Sequence, residues 1–212
     1  MAAIPREITT AYRDERASLS ATIREALADR RAEIDRALAE LVADEAVVDL
    51  AEATVRTLRR GGRVLLAGNG GSAAAAQHFA AELVGRFARE RAPYSVIALT
   101  ADTAALTAIG NDFGFADVFA RQVEAHGTPG DVLLLLSTSG ESPNLLKAAA
   151  AGRARAMTIV AITGEHRSAL ARCADIVVRS RSVTTPVIQE VHAILTHVVC
   201  AAVEDALAET ET

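Results

Sequence analysis

Apolar residues in the first sixty positions recur at helical spacing, whereas after Gly62 they stand in short unbroken runs. No glycine occurs between Pro5 and Arg60. Apolar side chains mostly three, four or seven residues apart predict a long helix with one apolar stripe; they are Ile8, Tyr12, Leu19, Ile23, Leu27, Ile34, Leu38 and Leu41. A second helix is predicted over residues 46–60, ending at Gly61 and Gly62.

The long stripe has a consequence for domain organisation. A helix of this length cannot bury its stripe against one small domain. Residues 1–60 are therefore predicted to be a helical segment for oligomerisation, and residues 61–212 one α/β domain. The alternative is that both helices fold onto their own subunit.

Five short apolar runs after Gly62 predict the strands of a sheet. Unbroken apolar runs separated by helical segments are typical of a parallel sheet covered on both faces. The runs are 63–67, 95–99, 132–136, 157–163 and 176–178, and helices are predicted from the loop after Ala67 to about Arg86, from near Pro143, and from Thr185 or Pro186 to near Ala208. The predicted fold is a doubly wound, five-stranded parallel α/β sheet with long N-terminal helices. Ligands bind at the carboxyl ends of such strands, so the loops after Ala67 and Leu136 are the candidates.

Composition excludes several classes of protein. The net charge is −5, aromatic residues make up 3% and Trp is absent, so neither a basic stripe nor a stacking platform for nucleic acid is present. Two distant cysteines, Cys173 and Cys200, cannot build a disulfide scaffold or a zinc knuckle. The longest apolar runs fall short of the ~20 residues of a membrane span, and the first 30 residues have no secretory h-region. We expect a cytoplasmic protein with no membrane or nucleic-acid partner.

The loop after the third predicted strand carries four hydroxyl groups within six residues: Ser137, Thr138, Ser139 and Ser142. These hydroxyls, free backbone N–H groups and the positive end of a helix dipole suit a phosphate monoester. Ordinary N-capping would need only one serine. A phosphate-binding loop is therefore predicted.

The glycine-rich loop after the first predicted strand has two interpretations. Gly68, Gly70 and Ala73 match the dinucleotide pattern G-x-G-x-x-A. The acidic residue expected ~20 positions later is missing, because the first acid after the next strand, Asp102, lies thirty-four residues beyond Gly68. A dinucleotide-dependent oxidoreductase is thus the weaker alternative, and a turn that admits a sugar phosphate explains the same residues.

Two helices carry polar residues suited to metal binding or acid–base chemistry. His78 and Glu82 lie one turn apart, where they could hold one metal ion or form an ordinary surface pair. Gln189, His192 and His197 stand in an apolar helix, and His192 is interpreted as a core histidine. Gln189 and His197 are eight residues apart, a rise of about 12 Å. Binding one ion would need a distorted helix start or a second subunit.

Four segments in this order resemble the sugar isomerase (SIS) family, and within it the phosphoheptose isomerases: GNGGSAAAAQHFAAEL, GNDFGF, LSTSGESPN and IQEVHAILTH. The resemblance covers nearly the whole chain. It implies a flavodoxin-like SIS fold, a homotetramer with active sites between subunits, and one zinc ion per subunit. It also implies aldose–ketose isomerisation of sedoheptulose 7-phosphate to D-glycero-D-manno-heptose 7-phosphate through an enediol.

The resemblance also implies roles for particular residues. Glu82 and His197 fall at the positions of the general base and acid. The zinc positions are occupied by His78, Glu82, Gln189 and His197. Phosphate positions are Ser72, Ser137, Thr138, Ser139 and Ser142, and other substrate contacts, besides Glu82 and Gln189, are Asn69, Gly70, Gly71, Asn111 and Asp112. Because a zinc-bound carboxylate is a poorer base, Glu82 either ligates part of the time or the zinc mainly organises the site. Glu141 departs from the more neutral residues of relatives.

A non-catalytic SIS module is the alternative from another class. Such a module would sense a sugar phosphate or bind a protein partner of the replication-initiator type. Both Glu82 and His197 are present here, which favours an enzyme. Within the isomerase interpretation, a hexose or pentose phosphate is also compatible, because no residue in the sequence measures chain length.

Overall fold

The computed structural model describes residues 6–208, and their side chains from Glu15 onward. Five parallel strands form one sheet in the order β2-β1-β3-β4-β5. The strands are β1 (Val64–Gly68), β2 (Val96–Ala98), β3 (Val132–Ser137), β4 (Thr158–Thr163) and β5 (Ile176–Arg179). The predicted doubly wound parallel sheet is confirmed, and each strand lies within a residue or two of its predicted run.

Within residues 6–208 the sheet is accompanied by eight α-helices and one short 3-10 turn (Phe115–Asp117). The helices are α1 (Arg6–Leu41), α2 (Glu45–Arg59), α3 (Gly71–Val84), α4 (Thr103–Phe113), α5 (Ala120–His126), α6 (Pro143–Ala154), α7 (Ala169–Cys173) and α8 (Thr185–Ala208). Of these, α3 to α7 and the 3-10 turn lie between strands. The long N-terminal helix is confirmed, although Pro5 and the side chains of Ile8 and Tyr12 lie outside the described part. Cys173 and Cys200 are both free.

Alternate strand residues supply two separate cores. Leu66 and Leu134 face α2, α3, α8 and the end of α1. Leu65 and Leu133 face the layer that contains α5, α6 and α7. All residues of β1 and β3 are buried, which explains why these strands have no polar alternation.

α1 and α2 differ in how they contact the sheet. Leu50 of α2 is fully buried in the core beneath α8. Among the α1 side chains from Glu15 onward, the buried ones, Ala37 and Leu41, lie in its last turns. Upstream, the stripe formed by Leu19, Ile23 and Leu27 is 57%, 56% and 65% exposed. The division of the chain at residue 60 stays a prediction.

α8 is a core helix of the sheet. Within residues 6–208 it is the one helix whose length and composition would allow it to cross a membrane. It packs against α1, α2 and α3, and Val191, Val199 and Val203 are at most 1% exposed. Its apolar character is therefore explained by burial inside the protein.

The chain leaves β1 and β3 toward opposite faces of the sheet. β1 leads into α3, which packs in the core around Leu66. β3 leads into α6, which packs in the core around Leu133. Because neighbouring strands continue in opposite directions, a crevice opens between their carboxyl ends, where doubly wound proteins bind ligands.

Candidate active site

A small cradle of about 70 Å³ lies in the crevice between β1 and β3. Polar side chains from both loops and from α8 line it: Asn69, Ser72, Ser137, Thr138, Ser139, Ser142 and Gln189. The Ser137 hydroxyl accepts a hydrogen bond from the N–H of Gly140 at 2.9 Å and so holds the second loop in its turn. Gly140 has a φ of +66°, which favours glycine. The structure thus brings together every hydroxyl that the sequence assigned to phosphate.

Gly70 and Gly71 stand in the chain between Asn69 and Ser72, two residues that line the cradle. Gly70 has a φ of +54° and directly precedes α3. A Cβ atom on Gly71 would lie 2.6 Å from Nε2 of Gln189. The lack of a side chain at Gly71 therefore lets Gln189 reach the start of α3.

Two side-chain amides connect the loops that form the cradle. Asn69 Nδ2 donates to Asn144 Oδ1 at 3.0 Å, and Asn144 Nδ2 donates to Asn69 Oδ1 at 2.8 Å. Asn144 is 2% exposed, so these bonds have little competition from water. The pair fixes the separation of the loops after β1 and β3.

Two acidic residues near the loops, Glu141 and Asp102, accept backbone N–H groups at helix starts. Glu141 Oε1 accepts the N–H of Ala169 at 2.8 Å, at the start of α7, and is not part of the cradle lining. Asp102 caps α4 by accepting the N–H of Ala105 at 2.9 Å. Each carboxylate thus accepts a backbone N–H group at a helix start outside the cradle.

His78, Glu82 and His197 meet where α3 and α8 pack together. His78 Nε2 lies 3.0 Å from Glu82 Oε1 and 3.2 Å from His197 Nε2. The ligand atoms of all three residues lie within 4.8 Å of one another. Two imidazole nitrogens and a carboxylate oxygen that converge in this way can hold a metal ion or exchange protons with a substrate.

The triad of His78, Glu82 and His197 opens onto the surface of the single chain. The side chains of His78 and Glu82 are 43% and 24% exposed. Phe87 borders the triad from the segment after α3, with its ring centroid 5.6 Å from that of His197. Val84 and Val198, the neighbours of this region in sequence, are 45% and 53% exposed.

The predicted site residues fall into two groups along α3 and α8. Gln189 reaches Gly71 at the start of α3, whereas His197 reaches His78 about two turns further on. α8 is continuous from Thr185, so it has no distorted start that would bring Gln189 to His197.

Asn111 and Asp112 form no part of either group. They hydrogen-bond to each other at 2.7 Å in an exposed position at the end of α4. Neither is among the described residues that line the cradle. Their substrate-contact role therefore stays a prediction from the resemblance.

His192 is confirmed as a core histidine. It is 1% exposed, and its Nε2 lies 3.3 Å from Ser180 Oγ, which donates to the carbonyl of Thr163. Burial lowers the pKa of His192 to about 4, because the charged imidazolium would lose its hydration.

Sequence reasoning missed three residues near the site: Asn144, Arg91 and Glu204. Glu204 had a detectable signal, since a carboxylate in the apolar stretch of α8 needs a partner just as His192 does. The amide of Asn144 and the guanidinium of Arg91 carried no such signal. Their partners become visible only once the loops are folded.

Comparison with known proteins agrees with this architecture. The SIS domain family matches residues 17–164. The chain therefore belongs to the SIS domain family, and it is a sugar-phosphate isomerase. The resemblance to the family is thus confirmed.

Three of the similar proteins are phosphoheptose isomerases. The phosphoheptose isomerase of Rhodospirillum rubrum is 50% identical over 162 residues, which cover 76% of this chain and 86% of the relative. The structure of the enzyme from Francisella tularensis is 36% identical, with a TM-score of 0.82 over 87% of this chain and 98% of that one. The enzyme from Neisseria gonorrhoeae is 41% identical, with a TM-score of 0.79 over 86% and 99%.

Proposed function

We propose that this chain interconverts sedoheptulose 7-phosphate and D-glycero-D-manno-heptose 7-phosphate. The observation that carries the proposal is the meeting of Glu82, His78 and His197 on the two helices that also border the phosphate cradle. The similarity to phosphoheptose isomerases supports the choice of a seven-carbon substrate.

The cradle supplies binding energy at the phosphate end of the substrate. Serine and threonine hydroxyls and the N-termini of α3 and α6 surround it, and this environment favours a phosphate oxyanion. His78 is seven residues beyond Gly71, a rise of about 10 Å along α3. The reacting end of an extended sugar phosphate then lies toward the triad.

Glu82 and His197 divide the proton transfers. The Glu82 carboxylate removes a proton from C1 of the ketose while His197 donates one to O2, which gives the enediol. Return of a proton to C2 and loss of the O1 proton complete the aldose. No oxidant or reductant is needed, because the carbonyl only moves within the molecule.

The triad suits a zinc ion by its donor set. His78, Glu82 and His197 offer two imidazole nitrogens and a carboxylate oxygen, all common zinc ligands. When bound, zinc supplies a Lewis acid that stabilises charge on the substrate oxygens. Gln189 extends the proposed ligand set only if a neighbouring subunit brings it to the ion, since within one chain it lies about two turns away.

The test is an assay of purified protein with sedoheptulose 7-phosphate, before and after dialysis against a chelator. We expect the protein to form the aldose, to lose this activity when the chelator removes the metal, and to recover it when Zn²⁺ is added. The amount of bound metal is measured at each stage. Arabinose 5-phosphate and fructose 6-phosphate serve as shorter substrates. Turnover of either at the higher kcat/KM would refute the heptose assignment, and binding without turnover would favour the non-catalytic module.

We also propose that the chain works as a homo-oligomer, a tetramer by analogy with the family. The described part of the α1 stripe, formed by Leu19, Ile23 and Leu27, is more than half exposed, and a helix that buries little apolar surface is marginal in water. Exposed Val84 and Val198 beside the triad support a site near a subunit contact.

Light scattering after size exclusion tests the oligomer. Replacing Leu19, Ile23 and Leu27 together by Gln should lower the measured mass and the activity in step. Val42→Gln is the matched control, since Val42 is 89% exposed and follows the end of α1. A fully active monomer would rule out a shared site.

A further inference from the structure

Glu204 is a carboxylate buried in the core helix α8, with its side chain 1% exposed. Its two oxygens accept the backbone N–H groups of Phe87, Ala88 and Arg89 at 2.8–3.2 Å. Burial on its own would raise the pKa of Glu204, but these N–H groups and Arg91 outweigh it and lower the pKa. The Glu204 carboxylate thus accepts hydrogen bonds from three consecutive backbone N–H groups in the segment that follows α3.

Arg91 is the cation of the same arrangement, with its side chain 4% exposed. Its Nε donates to Glu204 at 2.9 Å, and its guanidinium lies 4.0 Å from the centre of the Tyr94 ring. At the end of α3, its Nη2 donates to the carbonyl of Glu82 at 3.0 Å and its Nη1 to that of Leu83 at 2.9 Å. Nη1 also donates to the carbonyl of Ala92 at 3.0 Å. Arg91 therefore ties the last turn of α3 to α8.

Arg91 contacts the triad directly, and Glu204 reaches it through Phe87. Arg91 holds the backbone carbonyl of Glu82 itself. Glu204 holds the N–H of Phe87, whose ring lies beside that of His197. The carboxylate and the imidazole proposed to transfer protons are thus both connected to one buried ion pair.

We propose that Arg91 and Glu204 are positioning residues, which set the relative placement of Glu82 and His197 without touching the substrate. The proposal rests on the proposed function. Rigid support for reacting groups matters because a displacement of ~1 Å can cost ~100-fold in rate. A flexible Lys at position 91 keeps the charge but loses the planar fork that spans Glu204 and the α3 carbonyls.

The experiment compares Arg91→Lys and Phe87→Leu with the parent enzyme, using sedoheptulose 7-phosphate. Arg91→Lys should lower kcat by about 10–100-fold, with KM changed by less than about 3-fold because the cradle is left intact. Phe87→Leu removes the ring beside His197 without breaking the ion pair, and should lower kcat by about 3–10-fold. Zinc affinity, measured by competition with a chromogenic chelator, should fall in both.

Arg89→Gln is the matched control. Arg89 pairs with Asp205 at 2.7 Å and so also connects the segment after α3 to α8, as Arg91 and Glu204 do. Both side chains of this pair are more than half exposed. Arg89→Gln should leave kcat and zinc affinity unchanged. Titration with inorganic phosphate gives the fraction of each variant that has an intact cradle. This fraction distinguishes partial unfolding from loss of positioning.

Two results have distinct meanings. If the parent converts the substrate and both Arg91→Lys and Phe87→Leu keep kcat within about 2-fold per intact cradle, the positioning role is overturned while the proposed function stands. If the parent itself does not convert sedoheptulose 7-phosphate, the proposed function fails. The zinc titrations still test the positioning role in that case, and unchanged affinity in both variants would overturn it.

Discussion

Asn69 and Asn144 donate to each other through their side-chain amides, at 2.8 and 3.0 Å, and so connect the loops after β1 and β3. These loops belong to different β-α units and leave the sheet toward opposite faces. The amide pair is therefore a direct link between the two walls of the phosphate cradle.

Asn144→Leu should weaken binding of the sugar phosphate. The substitution removes both bonds and leaves the Asn69 amide without its partner, so we expect KM to rise about 10-fold, equivalent to ~1.4 kcal/mol. Steady-state kinetics with sedoheptulose 7-phosphate provides the measurement. Lys147→Gln is the control, because Lys147 lies on α6 like Asn144 but pairs with Asp117 near the surface. An unchanged KM in Asn144→Leu would mean that the loops hold their separation without the pair.

Glu82→Gln and His197→Ala should each lower turnover by at least ~100-fold, the typical contribution of a positioned acid or base. The triad lies on the surface of the chain, so both variants should retain the far-ultraviolet circular dichroism of the parent. Single-turnover rates distinguish a chemical defect from slow product release. Near-native turnover in either variant contradicts its assigned role.

Gly71→Ala should separate stability from activity. Alanine suits the first turn of α3, so the melting temperature should hardly change. Its Cβ would meet the Gln189 side chain at 2.6–2.8 Å and displace it from the cradle. We expect kcat/KM to fall about 10-fold, as for the loss of one hydrogen bond to a charged group. Gln189→Ala should produce a similar loss, and combining the two should add little.

His192 should make the protein less stable in mild acid. Its pKa is lowered to about 4 in the folded state from 6.5. Between pH 6.5 and about 4, His192 is therefore protonated in the unfolded chain but neutral in the folded chain. The free energy of unfolding falls as the pH drops through this range. His192 alone should lower the free energy of unfolding by about 3 kcal/mol near pH 4.

Urea unfolding at a series of pH values checks the role of His192. His192→Gln cannot gain that proton, so its unfolding free energy should fall less between pH 7 and pH 4. His126→Gln, which alters an exposed imidazole, should behave like the parent. Parallel curves for the parent and His192→Gln would show that the imidazole does not control this pH range.

The strands and the clustering of hydroxyl groups after β3 were predictable because their signals are local. The run before Ser137 is apolar at every position, and the hydroxyls follow it directly in the chain. The short helices α5 and α7 were not predicted, since five to seven residues carry too little periodicity.

The positions of Gln189 and Arg91 were not predictable for a different reason. The spacing of Gln189 from His197 was visible, but the contact with Gly71 depends on how α8 lies along α3. Arg91 stands in a charged, glycine-free segment like many others, and its burial follows from Glu204, which is more than a hundred residues away. Tertiary packing decides both.

Cradle and triad share α3 and α8, so in the proposed function the rise of the helix backbone sets the distance between the substrate phosphate and the reacting carbons. This distance cannot be adjusted finely, since inserting one residue between Gly71 and His78 would turn the imidazole by about 100° as well as moving it ~1.5 Å. Selection for a shorter or longer sugar would therefore have to act on the depth of the cradle or on the side chains at its mouth.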